Sequence, residues 1–322
     1  MPDVDSKPIQ PLIHIGYYKS GTSWLQRNVF EQPGSGFGGR SKGEPKHPIR
    51  RFVAEPLFGF DAAAWRHQFA ELLADPVRQG LVPTISWERL AGHPFSGGWD
   101  AKLIAERLAE VFPDGRVLIV AREQRRMIAS VYKQYVHAGG PCSVRDFLRP
   151  RTSSSRRVPP FELRYFEYEH LLEHYQGLFG PERVLALTLE QLAEDARAFV
   201  RQIGSFAGAR CDDQFVAGLP VGQPANAAIP PLARKARRVV NKLVYRSALN
   251  PAPIATLAGG ESFAGRVERL VGRRTRRFPF NDALDRRLVD WIEQEVGDRF
   301  AESNRRFATL TGIDVGALGW TV

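Results

Sequence analysis

HIGYYKSGTSWLQRNVF, residues 14–30, joins a short apolar run to a turn of Lys, Ser, Gly and Thr and then to residues at helical spacing. The order reads as a strand, an anion-holding loop and a helix. Successive backbone N–H groups in such a loop can wrap an anion, while Lys19 adds a mobile positive charge and the following helix presents its positive end. The stretch therefore predicts a phosphate-bearing ligand. In the common nucleoside-triphosphate loop, G-x-x-x-x-G-K-[ST], the Lys follows the last Gly. Here Lys19 and Ser20 precede Gly21 and Thr22, an order that argues against an ordinary ATP or GTP loop.

Downstream, helical and strand patterns alternate. Asp61 caps a predicted helix over residues 62–74, in which Trp65, Phe69, Leu72 and Leu73 recur at helical spacing. Residues 80–86 read as a strand delivering Trp87, Glu88 and Arg89 at its end, with Pro83 pointing to an edge position or an irregular start. A helix over 101–112, the turn Pro113-Asp114-Gly115, a buried strand over 117–120 with Arg122 just beyond it, and a helix bearing Met127, Ile128, Val131 and Tyr135 continue the pattern. Residues 161–179 predict a helix, 183–189 a strand and 192–206 another helix. This alternation predicts an α/β, P-loop-like three-layer fold with a mostly parallel central sheet flanked by helices. Ligands of such sheets gather beyond the C-terminal strand ends, where the Lys19 loop and Arg122 both fall.

The connections read differently. Residues 34–43, rich in Gly and containing Arg40 and Lys42, predict an irregular segment near the first loop, and the basic, Ser-rich stretch 139–160 predicts a loop or lid. From residue 218 the organisation changes to Pro-rich turns, a basic helix with Lys235, Arg237, Arg238 and Lys242, and an arginine cluster at Arg273, Arg274, Arg276 and Arg277. A final helix spans 284–307. We expect one domain over residues 1–322, with 218–280 as a basic, partly irregular subregion.

With 322 residues and 43% hydrophobic residues, the chain can bury a large core. Its apolar runs are too short to cross a bilayer, and Met1 is followed by Pro2, Asp3 and Asp5 rather than by a basic, apolar leader, so a cytoplasmic location is expected. Two cysteines, Cys142 and Cys211, make neither a disulfide framework nor a zinc site, and no metal motif such as H-E-x-x-H occurs. The net charge of +10 and pI near 9.9 favour anionic ligands without choosing among nucleic acid, an acidic acceptor and a phosphorylated nucleotide.

Lys19-Ser20-Gly21-Thr22-Ser23-Trp24-Leu25-Gln26 resembles the 5′-phosphosulfate loop of sulfotransferases that use 3′-phosphoadenosine 5′-phosphosulfate, PAPS. Arg122 after an apolar strand, with Ser130 eight residues later, resembles their 3′-phosphate-binding strand, loop and helix. Residues 179–206 resemble the middle of bacterial sulfotransferases and residues 304–320 their ending, so the likeness covers most of the chain. It departs at Glu123-Gln124, where many relatives place Pro after an acidic or amide residue.

The resemblance implies transfer of a sulfuryl group from PAPS to a hydroxyl of a carbohydrate or small metabolite, leaving adenosine 3′,5′-bisphosphate, with no metal required. Lys19 would stabilise charge on the leaving group, and Ser20, Gly21, Thr22 and Ser23 would supply donors to the 5′-phosphosulfate. Arg122 and Ser130 would hold the 3′-phosphate. Arg273 and Arg274 stand for a basic C-terminal segment closing over the nucleotide. For the proton of the acceptor, Glu88 at a strand end is the first candidate, resembling the Ser and Glu element of carbohydrate-sulfating bacterial relatives; Glu44 and His47 form the rival pair. His14 falls within a buried strand and His137 follows the Ser130 helix. Two other functions compete: a small-molecule kinase, opposed by the loop order and the lack of a magnesium carboxylate pair, and a basic nucleic-acid-binding protein, opposed by the lack of a nucleic-acid module.

Overall fold

The computed structural model describes residues 10–39, 48–150, 159–220 and 229–322. The chain runs through β1 (Leu12–Gly16), α1 (Thr22–Leu25) continuing as a π-helical segment Gln26–Phe30, β2 (Phe37–Gly39), α2 (Ile49–Ala54), α3 (Ala62–Arg78) and β3 (Val82–Ser86). It continues with α4 (Ala101–Val111), β4 (Arg116–Ala121), α5 (Gln124–His137), α6 (Val144–Leu148), α7 (Tyr168–Phe179), β5 (Val184–Thr188), α8 (Leu189–Glu194), α9 (Ala196–Ala207) and α10 (Asp213–Ala217). The C-terminal third is helical: α11 (Pro231–Val244), α12 (Gly260–Thr275), α13 (Asn281–Val296) and α14 (Ala301–Thr311).

Among the described residues five strands form one sheet in the order β2-β3-β1-β4-β5, and every neighbouring pair is parallel. Strand residues alternate between two cores. Leu118 and Val120 join Leu12, Leu187, Trp24 and Phe30 on the face covered by α1, α8 and α9, whereas Val117 and Ile119 join Ile13, Ile15 and Ile85 on the face covered by α3, α4, α5 and α7. Burial on both faces explains why β1 and β4 are nearly continuous hydrophobic runs. Parallel strands put all five C-terminal ends on one rim, among them those of β1, β3 and β4, which lead into the Lys19 loop, Glu88 and Arg122.

Several predicted boundaries shift for identifiable reasons. β3 lies inside the sheet rather than at its edge. Pro83 is tolerated because it precedes the first residue paired to β1, Thr84, while Val82 N–H donates to Gly36 O on the other side at 2.9 Å. The edge strand is instead Phe37–Gly39, inside the stretch expected to be irregular. A Cβ at Gly38 would lie 2.6 Å from the Pro76 side chain, so α3 packs directly on a glycine backbone that shows no β pattern. The helix expected over 192–206 is two, α8 and α9, because Asp195 leaves helical geometry and its carboxylate caps α9 through the N–H groups of Arg197 (2.9 Å) and Ala198 (3.0 Å). The final helix is also two, parted at Gly297 (φ 53°, ψ −130°). Within residues 161–179, a 3-10 turn Leu163–Phe166 precedes α7.

α11 and α12 form an antiparallel hairpin: Gly272 lies beside Ala233 and Pro230, and Gly260 beside Val244 and Tyr245. Buried Asn241 seats the hairpin on the end of α5, donating to Val136 O (2.8 Å) and Gly140 O (3.0 Å). α13 packs on α5, and α14 on α7.

Candidate active site

The residues after β1 turn sharply. Tyr17 N–H donates to Val120 O on β4 at 2.9 Å, and its carbonyl accepts the Ser20 hydroxyl at 2.7 Å. Lys19 has φ 63° and Gly21 φ 91°, so the chain reverses through left-handed geometry into α1. Among the described residues no acceptor takes the N–H groups of Ser20, Gly21, Thr22 and Ser23, which follow one another through this turn. The Ser20 and Thr22 hydroxyls donate to the Tyr17 carbonyl (2.7 and 3.5 Å), which leaves their amides as the groups open to a ligand. Ser23 is exposed. Beneath Gly21 a Cβ would lie 3.0 Å from Leu189 and 3.3 Å from Leu192, so α8 supports the loop from below.

Arg122 follows β4 and donates to the Lys19 carbonyl at 3.3 Å. Its own carbonyl accepts the Tyr168 hydroxyl at 2.7 Å. The Glu123 departure from the resembled pattern closes the turn in another way: its carboxylate caps α5 through Arg125 N–H and Arg126 N–H, both at 3.0 Å, and its N–H donates to Glu190 at 3.2 Å. Gln124 is buried against Asn304, exchanging amide hydrogen bonds of 2.5 and 3.2 Å, while Asn304 also donates to Thr321 O at 2.7 Å. The C-terminal segment thus braces the Arg122 turn.

Electrostatics distinguish this rim. Burial, then Arg122 and Lys133, hold the Lys19 ammonium below its ordinary value against the opposing pull of Glu88. Burial likewise lowers Arg122, against the carboxylate of Glu190, and lowers Lys133 despite its ion pair to Asp285, with Arg234 and Arg122 adding repulsion. Cations that depress one another on one rim make it favourable to a negative charge. Lys133 was not anticipated from sequence. The available signal was its place on α5, three residues after Ser130 and seven after Arg126, on one helix face. Half-buried Ser130 occupies the middle of that face. Asp285 on α13 holds Lys133 (3.0 Å) and Arg234 of α11 (2.8 Å) together.

Glu88 begins the turn directly after β3, and a Cβ at Gly16 would sit 2.9 Å from its Cα, so its backbone lies against the start of the loop. Gln26 ties the π-helical segment to the same strand end by donating to Ser86 O at 2.8 Å. Beyond Glu88 stand Arg89, bridged to Asp100, and His93, whose ring lies 5.6 Å from that of Tyr18. Burial, then Arg89, push the His93 imidazole down to about 4, and its Nδ1 accepts Phe95 N–H at 3.2 Å. It is neutral near pH 7 and a weak base.

His14 is buried and bonded to the Ser86 hydroxyl at 2.8 Å, and His137 pairs with Glu268 at 3.2 Å. Arg273 and Arg274 are exposed in the last turn of α12 and are not among the groups acting on Lys19 or Arg122; the C-terminal arginine coupled to the rim, through Lys133, is Arg234. Glu44 and His47 lie outside the described residues. Ligand atoms of Glu167, Glu169 and His170 lie within 4.8 Å of one another, but Glu167 is paired with Arg299 and Glu169 accepts the Ser303 hydroxyl.

The sequence of residues 11–213, more than half of the chain and spanning the loop, Glu88, Arg122 and Ser130, matches the model of the Sulfotransferase family. The chain belongs to the sulfotransferase family. Among solved structures, a sulfotransferase from Alicyclobacillus acidocaldarius is 20% identical, with 79% of this chain and 99% of that chain covered at a TM-score of 0.44. Among curated proteins none matches.

Proposed function

We propose that this sulfotransferase uses PAPS to sulfate a hydroxyl of a carbohydrate or small metabolite in the cytoplasm. The observation that carries the reading is the bond from Arg122 to the Lys19 carbonyl, which ties together the two segments read as anion sites. One site is the ring of loop amides with Lys19, matched to the 5′-phosphosulfate. The other is Arg122 with Ser130 and Lys133, matched to the 3′-phosphate. In the reaction the acceptor oxygen forms a bond to sulfur as the bond from sulfur to the bridging oxygen breaks. Lys19 faces the charge that grows on that oxygen, and Glu88 takes the proton of the acceptor. The products are a sulfate ester and adenosine 3′,5′-bisphosphate.

Calorimetric titration with adenosine 3′,5′-bisphosphate, ATP and AMP tests the donor assignment. The 3′-phosphorylated ligand should bind tightest, and Arg122→Ala should weaken it about 10- to 100-fold, more than it weakens AMP, the loss of charge-assisted bonds to one phosphate. Equal or tighter binding of ATP would overturn the assignment and favour a kinase.

A further inference from the structure

The α11–α12 hairpin buries only small apolar residues, Pro231, Ala233 and Ala264, together with charged and polar ones. Its inward side buries Arg234, Arg237 and Asn241, held by Asp285, Glu268 and the carbonyls of α5, whereas its outward side exposes Val239 and Leu243. A helix of a water-soluble protein ordinarily turns its apolar residues inward. The connecting segment adds more apolar surface: Ile254 and Leu257 are exposed, and the segment is strapped along α11 by Ile254 N–H to Lys242 O (3.2 Å), Ala255 N–H to Leu243 O (2.8 Å) and Leu257 N–H to Val244 O (3.2 Å). Phe263 and Leu270, seven residues apart on α12, are exposed as well. These side chains are interleaved with exposed cations: Lys235, Lys242 and Arg246 on and after α11, and Arg266 and Arg269 on α12. Glu261 and Glu268 are the only acids between residues 231 and 277, and Glu268 is buried in an ion pair with Arg237 (2.9 Å).

We propose that this hairpin seats the enzyme on an anionic membrane surface, with Leu243, Ile254, Leu257 and Phe263 entering the headgroup boundary and the surrounding Lys and Arg meeting lipid phosphates. Charge complementarity selects this occupant. A second copy would bring two strongly cationic faces together, and a nucleic-acid backbone would satisfy the cations while leaving the apolar side chains in water. An anionic bilayer offers negative charge and an apolar layer at adjacent depths. No helix among the described residues is long and apolar enough to cross a membrane, so the hairpin lies on the surface. The inference is independent of the donor and acceptor assigned above.

Co-sedimentation of the full chain with vesicles tests it, comparing pure phosphatidylcholine with a mixture containing about one third phosphatidylglycerol. The chain should sediment with the anionic vesicles alone. Each cation near the surface contributes about fivefold, so Arg266→Glu with Arg269→Glu should lower the affinity well over tenfold. The apolar set Leu243→Ser, Ile254→Ser and Leu257→Ser should lower it at least tenfold as well. Both variants should keep the wild-type circular dichroism spectrum and melting temperature, which verifies their fold. No binding to anionic vesicles, or equal binding to both kinds, would overturn the proposal. So would an apolar variant that binds vesicles like wild type, which would mark a general polyanion surface, or a concentration-dependent dimer abolished by the same substitutions.

Discussion

Lys19 holds its backbone where L-residues rarely sit. At φ 63° it is the only non-glycine residue with positive φ among the described residues. Left-handed geometry costs an L-residue roughly 1–2 kcal/mol, and here the Ser20 hydroxyl and the Arg122 guanidinium, bonded to carbonyls on either side of the turn, hold it in place. The Lys side chain is therefore retained at some expense of stability. Lys19→Gly should unfold at higher denaturant than Lys19→Ala, by about 0.5–1 kcal/mol after the greater freedom of unfolded Gly is subtracted. Both variants should lose roughly 100- to 1,000-fold in sulfuryl-transfer rate. Denaturant unfolding and single-turnover assays check the two halves separately. At this scale the loop and Arg122 were legible in sequence, because the residues that make each turn are adjacent in the chain. Lys133 was legible only as a position on a helix face: its partner Asp285 lies far along the sequence, and that distance hid the cluster.

Between elements, the contact that brings the two catalytic candidates together is Gly16 at the end of β1 against Glu88 at the end of β3. Gly16 has φ 88°, and an added Cβ would lie 2.9 Å from Glu88 Cα and 3.1 Å from its Cβ. Gly16→Ala should lower stability by about 2–3 kcal/mol through strain and overpacking. It should also slow turnover by moving Glu88 away from the loop, while leaving nucleotide affinity less affected, as a comparison of turnover with calorimetric affinity will show. The strands of the sheet interior were readable because burial on both faces makes them continuously apolar. β2 was not, since glycines admit α3 and carry no side-chain pattern. The breaks at Asp195 and Gly297 were hidden because apolar periodicity continues across a break in the backbone.

Across the whole molecule, the basic C-terminal third is fastened to the α/β body by buried polar contacts, and one of them titrates. Burial alone would raise the Glu268 carboxyl, but the bonds from His137 and Arg237 hold it below its ordinary 4.5. A lowered folded-state pKa means that the stabilisation is present above the unfolded value and is lost as pH falls through the folded one. Thermal melts should therefore show the hairpin contribution intact at neutral pH and lost in acid below about 4.5. Glu268→Gln should flatten that acid limb and cost about 3 kcal/mol at neutral pH, since Arg237 is left buried beside a neutral partner. The sequence alone determined the α/β class, the turn that follows β1 and the strand end bearing Arg122, because local backbone geometry and burial periodicity are written in neighbouring residues. The tertiary structure alone decided that Lys133 acts on Lys19 and is joined through Asp285 to Arg234, and that the arginine-rich hairpin exposes apolar side chains. Both arise from the packing of elements distant in sequence, and no local pattern encodes them.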